Sequence, residues 1–402
     1  MPLDTGDTSF MLVATALVMI MTPGLAFFYG GLVSRKNVLA IMMQSYVSMG
    51  VSTILWVAVG YSLCFSGDVG GIIGNLDMAF LRGIEPTDLF GGAEGTIPLL
   101  LFVAYQMMFA IITPALITGA FANRITFKAY LIFLVAWQIL VYYPFVHMIW
   151  GGGMLAEWGV LDFAGGIVVH ALAGMAALAS VIYVGKRRVE DTGAHNVPFV
   201  AIGAALLWFG WFGFNAGSEL AVDEVTAVAF INTQIAAAFA AITWLLLAWL
   251  YDGKPSFVEM LIGMIAGLAT ITPAAGFVSP QSAMLIGVAA GAVCYFAVVF
   301  RKKKGLDDAL DVWGVHGVGG ALGIVMLGVL ASESIGGQNG LYHGNQDFFL
   351  VQLAGLALAC VWAFAFTYGM LMMIDMITPV RVTDEAEAAL DVTLHGESAY
   401  ID

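Results

Sequence analysis

The sequence predicts an all-α polytopic membrane protein of eleven transmembrane helices, built as a five-plus-five inverted repeat with one helix added. Three observations carry that prediction. Composition is the first: 61% of residues are hydrophobic and only 10% charged, outside soluble globular usage. Apolar windows of about 20 residues, the length that crosses a hydrocarbon core, recur eleven times. Two short stretches each occur twice, in the same order and five helices apart.

The windows lie near 8–32, 38–66, 97–121, 127–149, 163–184, 197–217, 225–250, 255–275, 279–300, 311–332 and 347–374. Segments this long and uniformly apolar lack the alternation of a membrane barrel, so helices are expected to satisfy the backbone. Residues Met1 to Thr8 carry two Asp and neither Lys nor Arg. They lack the basic start of a secretory signal, and helix 1 is expected to be a retained span. Basic residues are held on the cytoplasmic side. Arg35, Lys36, Arg124, Lys128, Lys186 to Arg188, Lys254, Arg301 to Lys304 and Arg381 all follow odd-numbered helices, and Arg82 alone falls opposite. The chain is therefore expected in the cytoplasmic membrane with its amino terminus outside and its carboxyl terminus in the cytosol. Residues 1–374 form the membrane domain, with repeats at about 8–184 and 197–332 and helix 11 at about 347–374. Residues 375–402 form a cytosolic tail.

The stretch that organises the chain runs from Asp162 to Gly174 and again from Asp308 to Gly320. Laid over each other without a gap, the leading aspartates, the Val-His pairs ending at His170 and His316, and the closing glycines coincide. A histidine in apolar sequence is costly. One alone reads as well as a satisfied structural residue as a functional one, but two at matched positions favour function. Residues Ala110–Ala115 (AIITPA, helix 3) return as Ala269–Ala274 (ATITPA, helix 8). Independent Thr-Pro kinks are tolerated in membrane helices, yet two matches in one order make coincidence the weaker account. A repeat of five helices crosses an odd number of times, so its second copy is inverted. Transporters of that build hold substrate near the midplane, where His170 and His316 are expected to arrive from opposite faces. The glycines around His316 read as packing residues that let helices approach closely.

Orientation assigns depth to the aromatics. Helix 3 starts outside, with Tyr105 in its outer half and Phe109 one turn deeper on the same face. Helix 6 ends outside, with Trp211, Phe214 and Ser218 on one stripe, and helix 4 delivers Trp150 just before Gly151-Gly152-Gly153. One level thus offers Trp150, Tyr105 and Ser218, and the level below offers Phe109 and Phe214. Aromatic faces attract a cation by roughly 0.5 to 2 kcal/mol, which suits a small-cation site. Interfacial Trp and Tyr belts are the competing explanation.

The stretches Pro23–Leu32 (PGLAFFYGGL), Trp150–Gly153, Asp162–Gly166 running on to His170, Trp211–Ser218 (WFGFNAGS) and Asp311–Gly317 (DVWGVHG) resemble the ammonium transporter family (Amt/Mep/Rh), prokaryotic Amt type, over nearly the whole chain. The resemblance implies a homotrimer with a pore in each protomer. It also implies ammonium uptake: recruitment at Trp150, Tyr105 and Ser218, a gate at Phe109 and Phe214, and a twin-histidine pair at His170 and His316. Asp162 looks like the family's aspartate near the outer site, with a structural or electrostatic role. Tyr105 stands where many bacterial members carry Phe, which adds a hydroxyl, and the ITPA context differs from some relatives. An intact ammonium ion meets the penalty of any intramembrane charge. Shedding the proton removes most of it, neutral imidazoles supply a donor and an acceptor, and potassium cannot follow. Ammonia is then conducted past the histidines while the proton is relayed separately. The tail, with Asp391, His395, Gly396, Glu397 and Tyr400, is similar to tails regulated by PII signalling proteins, although its acidic composition equally describes a solvated disordered segment.

Two alternatives share this fold: an ammonium sensor, disfavoured by the short stretch after helix 11, and a channel for neutral ammonia gas. A third has His170 and His316 as haem ligands, but His147, His195, His343 and His395 fall at a helix end, in loops and in the tail. Cys64, Cys294 and Cys360 lie in separate apolar segments without ligand spacing. No metal, cofactor or nucleic-acid partner is expected; lipid and ammonium are. No catalytic triad, phosphate loop or ATPase motif is recognisable, so the chain is not expected to be an enzyme. The net charge of −14, with acids spread through loops and tail, says little about partners.

Overall fold

The computed structural model describes residues 3–189 and 193–400. Among them, 11 helices are long and apolar enough to cross a membrane. They are α1 (Thr5–Leu32), α2 (Val38–Phe65), α3 (Leu99–Ile117), α4 (Phe127–Glu157), α5 (Gly166–Val184), α6 (Val197–Glu219), α7 (Glu224–Asp252), α8 (Phe257–Ala274), α9 (Pro280–Lys304), α10 (Trp313–Leu330) and α11 (Gln346–Asp375). Extended pairing among the described residues is limited to isolated bridges.

The helices start where polar residues cap them. Asp4 accepts from the Gly6 and Asp7 amides, Thr126 from Ala129, Asn196 from Phe199, Ser256 from Glu259 and Asn345 from Phe348. Asp223 and Thr226 form a reciprocal capping box at α7. Each cap satisfies an amide that the helix itself leaves unpaired, and stabilises by about 1 kcal/mol.

Several boundaries depart from the sequence expectation. Helix α9 continues to Lys304 because Arg301 to Lys304 end the apolar window without ending the helix. Helix α3 stops at Ile117, four residues early, where the Thr118 hydroxyl bonds back to the Ala115 carbonyl. Helices α5 and α10 begin later than expected, because Gly165 (φ 118°) and Asp311 (φ 58°) adopt left-handed conformations just before them.

Helix α1 packs along α6, α7 against α8 and α9, and α5 against α11. Close approach rests on small residues. A methyl group at Gly203 would stand 2.2 Å from the Phe28 nitrogen. One at Gly174 of α5 would stand 2.1 Å from the Gly317 Cα of α10. That second contact is where the two duplicated segments cross. Both wind there as π turns, Gly166–Ala171 and Trp313–Gly317, a geometry common at functional sites.

The tail is folded, which the disordered alternative for its composition did not anticipate. Asp391 caps α2 by accepting from the Leu39 and Ala40 amides at 3.0 and 2.8 Å. Glu387 is buried and accepts from the Arg188 and Val189 amides and the Arg381 guanidinium. The His395 ring packs edge-on against Phe127, the Tyr400 hydroxyl bonds His195, and Gly396 (φ 68°) ends the turn Leu390–His395. Glu397 donates its amide to the Asp391 carbonyl. Apolar or charged anchors thus replace the solvation that an acidic segment would otherwise prefer.

Candidate functional site

At the end of the bundle expected outside, a cavity of about 500 Å³ is lined by Trp150, Asp162, Phe163, Ser218 and Glu219 among others. Asp162 shapes its floor. One carboxylate oxygen accepts from the Gly165 and Gly166 amides at 2.9 and 2.6 Å, the other from Ile167 and Val168 at 2.7 and 3.1 Å. Burial pushes this carboxyl above its ordinary range, and the four amides pull the other way. All of its accepting capacity toward the cavity is engaged, so its role there is to hold the start of α5. Its own carbonyl accepts from the Trp150 indole at 2.8 Å, which fixes that ring at the mouth.

Tyr105 is brought to the same level but behind the cavity wall. Its hydroxyl reaches the Gly213 and Phe214 carbonyls at 2.8 and 3.0 Å and lies 3.3 Å from Ser218 Oγ, which itself bonds the Phe214 carbonyl. The extra hydroxyl that the sequence placed in the cage is therefore engaged with the end of α6, where it orients Ser218.

Below the mouth the rings form a continuous ladder. Phe109 contacts Tyr105 at 5.1 Å, Trp150 at 6.0 Å and Phe214 at 4.4 Å between centroids. Phe214 stacks on His170 at 6.0 Å, and His170 on His316 at 5.2 Å. The two phenylalanines separate the outer cavity from a second one lined by Phe214, His170, His316, Trp211, Tyr29 and Val315. That inner cavity holds only about 20 Å³, space for one water-sized molecule, in mainly apolar walls.

His170 and His316 meet through their Nδ1 atoms at 3.2 Å. One ring donates and the other accepts, a pairing that neutral imidazoles satisfy. No porphyrin fits between rings in direct contact, which removes the haem reading. Among the described residues the Nε2 of His170 is buried without a hydrogen-bond partner, which leaves one open polar atom on a ring that lines the inner cavity. The neighbouring glycines decide this contact: a methyl at Gly320 would stand 2.8 Å from His170 Cβ.

Sequence reasoning missed several supporting residues. Trp211 stacks on His170 at 5.5 Å and donates to Thr272 at 2.9 Å, tying α6 to the second Thr-Pro motif. His147, one turn before Trp150, bonds the Cys64 carbonyl and Asp68, both at 2.9 Å. The His147 hydrogen bond holds Asp68 below its ordinary range. The Trp211 position on the Phe214 stripe was the one available signal, whereas the His147 partner lies 79 residues away. Asp308, matched to Asp162 by the repeat, accepts from the Trp313 amide at 2.7 Å; burial, with Asp311 nearby, pushes its carboxyl up to about 6.

The profile of the Ammonium Transporter Family matches residues 9–400. The chain is 45% identical to an ammonium transporter of Bacillus subtilis over the full length of both. It is 43% identical to ammonium transporter Amt1 of Archaeoglobus fulgidus, covering 99% of this chain and 100% of that one. The crystal structure of Saccharomyces cerevisiae Mep2 superposes with a TM-score of 0.91 at 32% identity, over 100% of this chain and 94% of that one. A Sensor Amt Protein superposes with 0.89 at 28% identity, over 97% and 98%. An eleven-span membrane fold, a shared profile over nearly every residue and these identities place the chain in the Ammonium Transporter Family.

Proposed function

We propose that this protein takes up ammonium across the cytoplasmic membrane by recruiting the ion at Trp150 and Ser218, with Tyr105 positioning Ser218. The ion gives its proton to solvent in the outer cavity, and ammonia passes the Phe109–Phe214 gate and the His170–His316 pair. The observation that carries this reading is the unbroken ladder from the outer cavity to the Nδ1–Nδ1 contact. A cavity of about 20 Å³ has no room for a hydrated ion, and bare charge at that depth costs several kcal/mol or more. Neutral ammonia fits and can hydrogen-bond the open His170 Nε2. The proton moves separately along the imidazole pair, so net charge crosses. Metal and cofactor chemistry have no step in this scheme.

The basic residues that follow odd-numbered helices support an amino terminus outside and a cytosolic tail. By family resemblance the assembly is a homotrimer, and the tail around Asp391, His395, Gly396, Glu397 and Tyr400 contributes to a PII docking face. A monomeric mass in native mass spectrometry would count against the first, and failure of the membrane-embedded protein to retain a PII protein against the second.

The central test is an ammonium pulse onto proteoliposomes on an electrode, with an internal pH probe. Wild type should give inward current, His170→Ala should lose at least tenfold of it, and potassium should give none. A pH change without current points to a neutral gas channel. Neither signal in wild type overturns transport and leaves the sensor reading.

A further inference from the structure

The acidic residues are not shared evenly between the two faces. Half of the 28 carboxylates fall, by chain position, in segments expected outside, where Arg82 is the one basic residue. On the opposite face Lys and Arg nearly balance the acids. The formal net charge of −14 therefore belongs almost wholly to the face that holds the aromatic mouth, and such a field concentrates cations in front of it.

One carboxylate stands inside that mouth. Glu219 follows Ser218 in the short turn Gly217–Glu219 at the end of α6, and Leu220 (φ 61°) turns the chain away after it. It lines the same cavity of about 500 Å³ as Trp150, Asp162 and Ser218. Asp162 lines it too, but four amides occupy its oxygens. Asp223, the next acid, is committed to the Thr226 cap. Among the described residues no hydrogen bond or ion pair engages the Glu219 carboxylate.

We propose that Glu219 is a cation-recruiting residue of the outer mouth, whose unpaired carboxylate beside Ser218 raises the local ammonium concentration and so sets apparent affinity. This rests on the reading of Trp150 and Ser218 as the ammonium site. A carboxylate attracts any monovalent cation alike, so Glu219 supplies encounter and the passage below supplies discrimination. Its influence acts through partly solvated space, and salt therefore screens it within about 10 Å at 0.1 M.

The test is initial ammonium-driven current in full-length proteoliposomes over a range of ammonium concentrations, at low and high sodium chloride. Glu219→Gln should raise KM about three- to tenfold at low salt, with the loss falling on KM and not on the maximal rate. Glu219→Asp should recover most of it, and about 0.5 M salt should bring wild type and the Gln variant together. Equal KM and equal salt dependence in wild type and Glu219→Gln overturn the proposal. A lowered maximal rate at unchanged KM does the same, since it marks a structural role. Absence of ammonium current in wild type overturns the transport reading instead, so the two failures are distinguishable.

Discussion

Asp162 shows how much a single buried side chain carries. Its two oxygens take four amides at the start of α5, and its carbonyl holds Trp150. Asp162→Ala leaves those amides buried without an acceptor, and an unsatisfied buried group costs about 1–3 kcal/mol. The variant should therefore unfold in detergent at a clearly lower temperature, and Asp162→Asn, which keeps one accepting oxygen, should fall between the two. Equal melting temperatures for all three would remove the helix-holding role. Tyr105 teaches a related lesson: its position was legible from helix spacing, while the direction of its hydroxyl depended on carbonyls 108 and 109 residues away.

At the scale of the element, the two histidine segments work because each copy's glycine admits the other copy's backbone. Gly174 meets Gly317, and Gly320 meets the Gly166 carbonyl and His170. Neither glycine needs a left-handed backbone; what each needs is the absence of a side chain. Gly174→Leu should therefore separate α5 from α10, break the 3.2 Å histidine contact and abolish transport. Fluorescence-detected size exclusion would show reduced folded yield in the same variant. Normal yield with normal transport would mean that the crossing tolerates bulk and that the close approach is incidental. The repeat itself was visible as aligned residues, but the π turns were not, because they answer to the crossing and not to local propensity.

For the whole molecule, the loops at the end of the bundle expected in the cytosol are tied to one another by charge. Asp307, between α9 and α10, receives the Arg187 amide and guanidinium at 2.7 Å each and faces Arg124 at 3.7 Å. Burial works against ionisation of Asp307, but these partners outweigh it and hold the carboxyl at about 2. An unfolded aspartate titrates near 3.9. The tie therefore contributes fully above about pH 4 and fades as pH falls toward 2. Asp307→Asn should cost about 1–3 kcal/mol at neutral pH, and the gap to wild type should close over that acid window in thermal unfolding. A gap constant with pH would assign the loss to packing. The same logic extends to the tail, where Glu387 and Asp391 pin an acidic segment to a loop 199 residues away and to the start of α2, 351 residues away.

The amino-acid sequence by itself determined the span count and the duplicated histidine segment, and it set the expected orientation and the expected level of the aromatics. It could do so because a hydrocarbon solvent admits only internally bonded apolar helices, which makes spans, basic loops and polar exceptions conspicuous. The tertiary structure alone decided that the histidines meet through Nδ1, that Tyr105 turns its hydroxyl to the wall, that Trp211 and His147 support the site, and that the acidic tail is clasped. Those outcomes depend on helix rotation and crossing and on partners far apart in the chain, which residue periodicity along one helix does not encode.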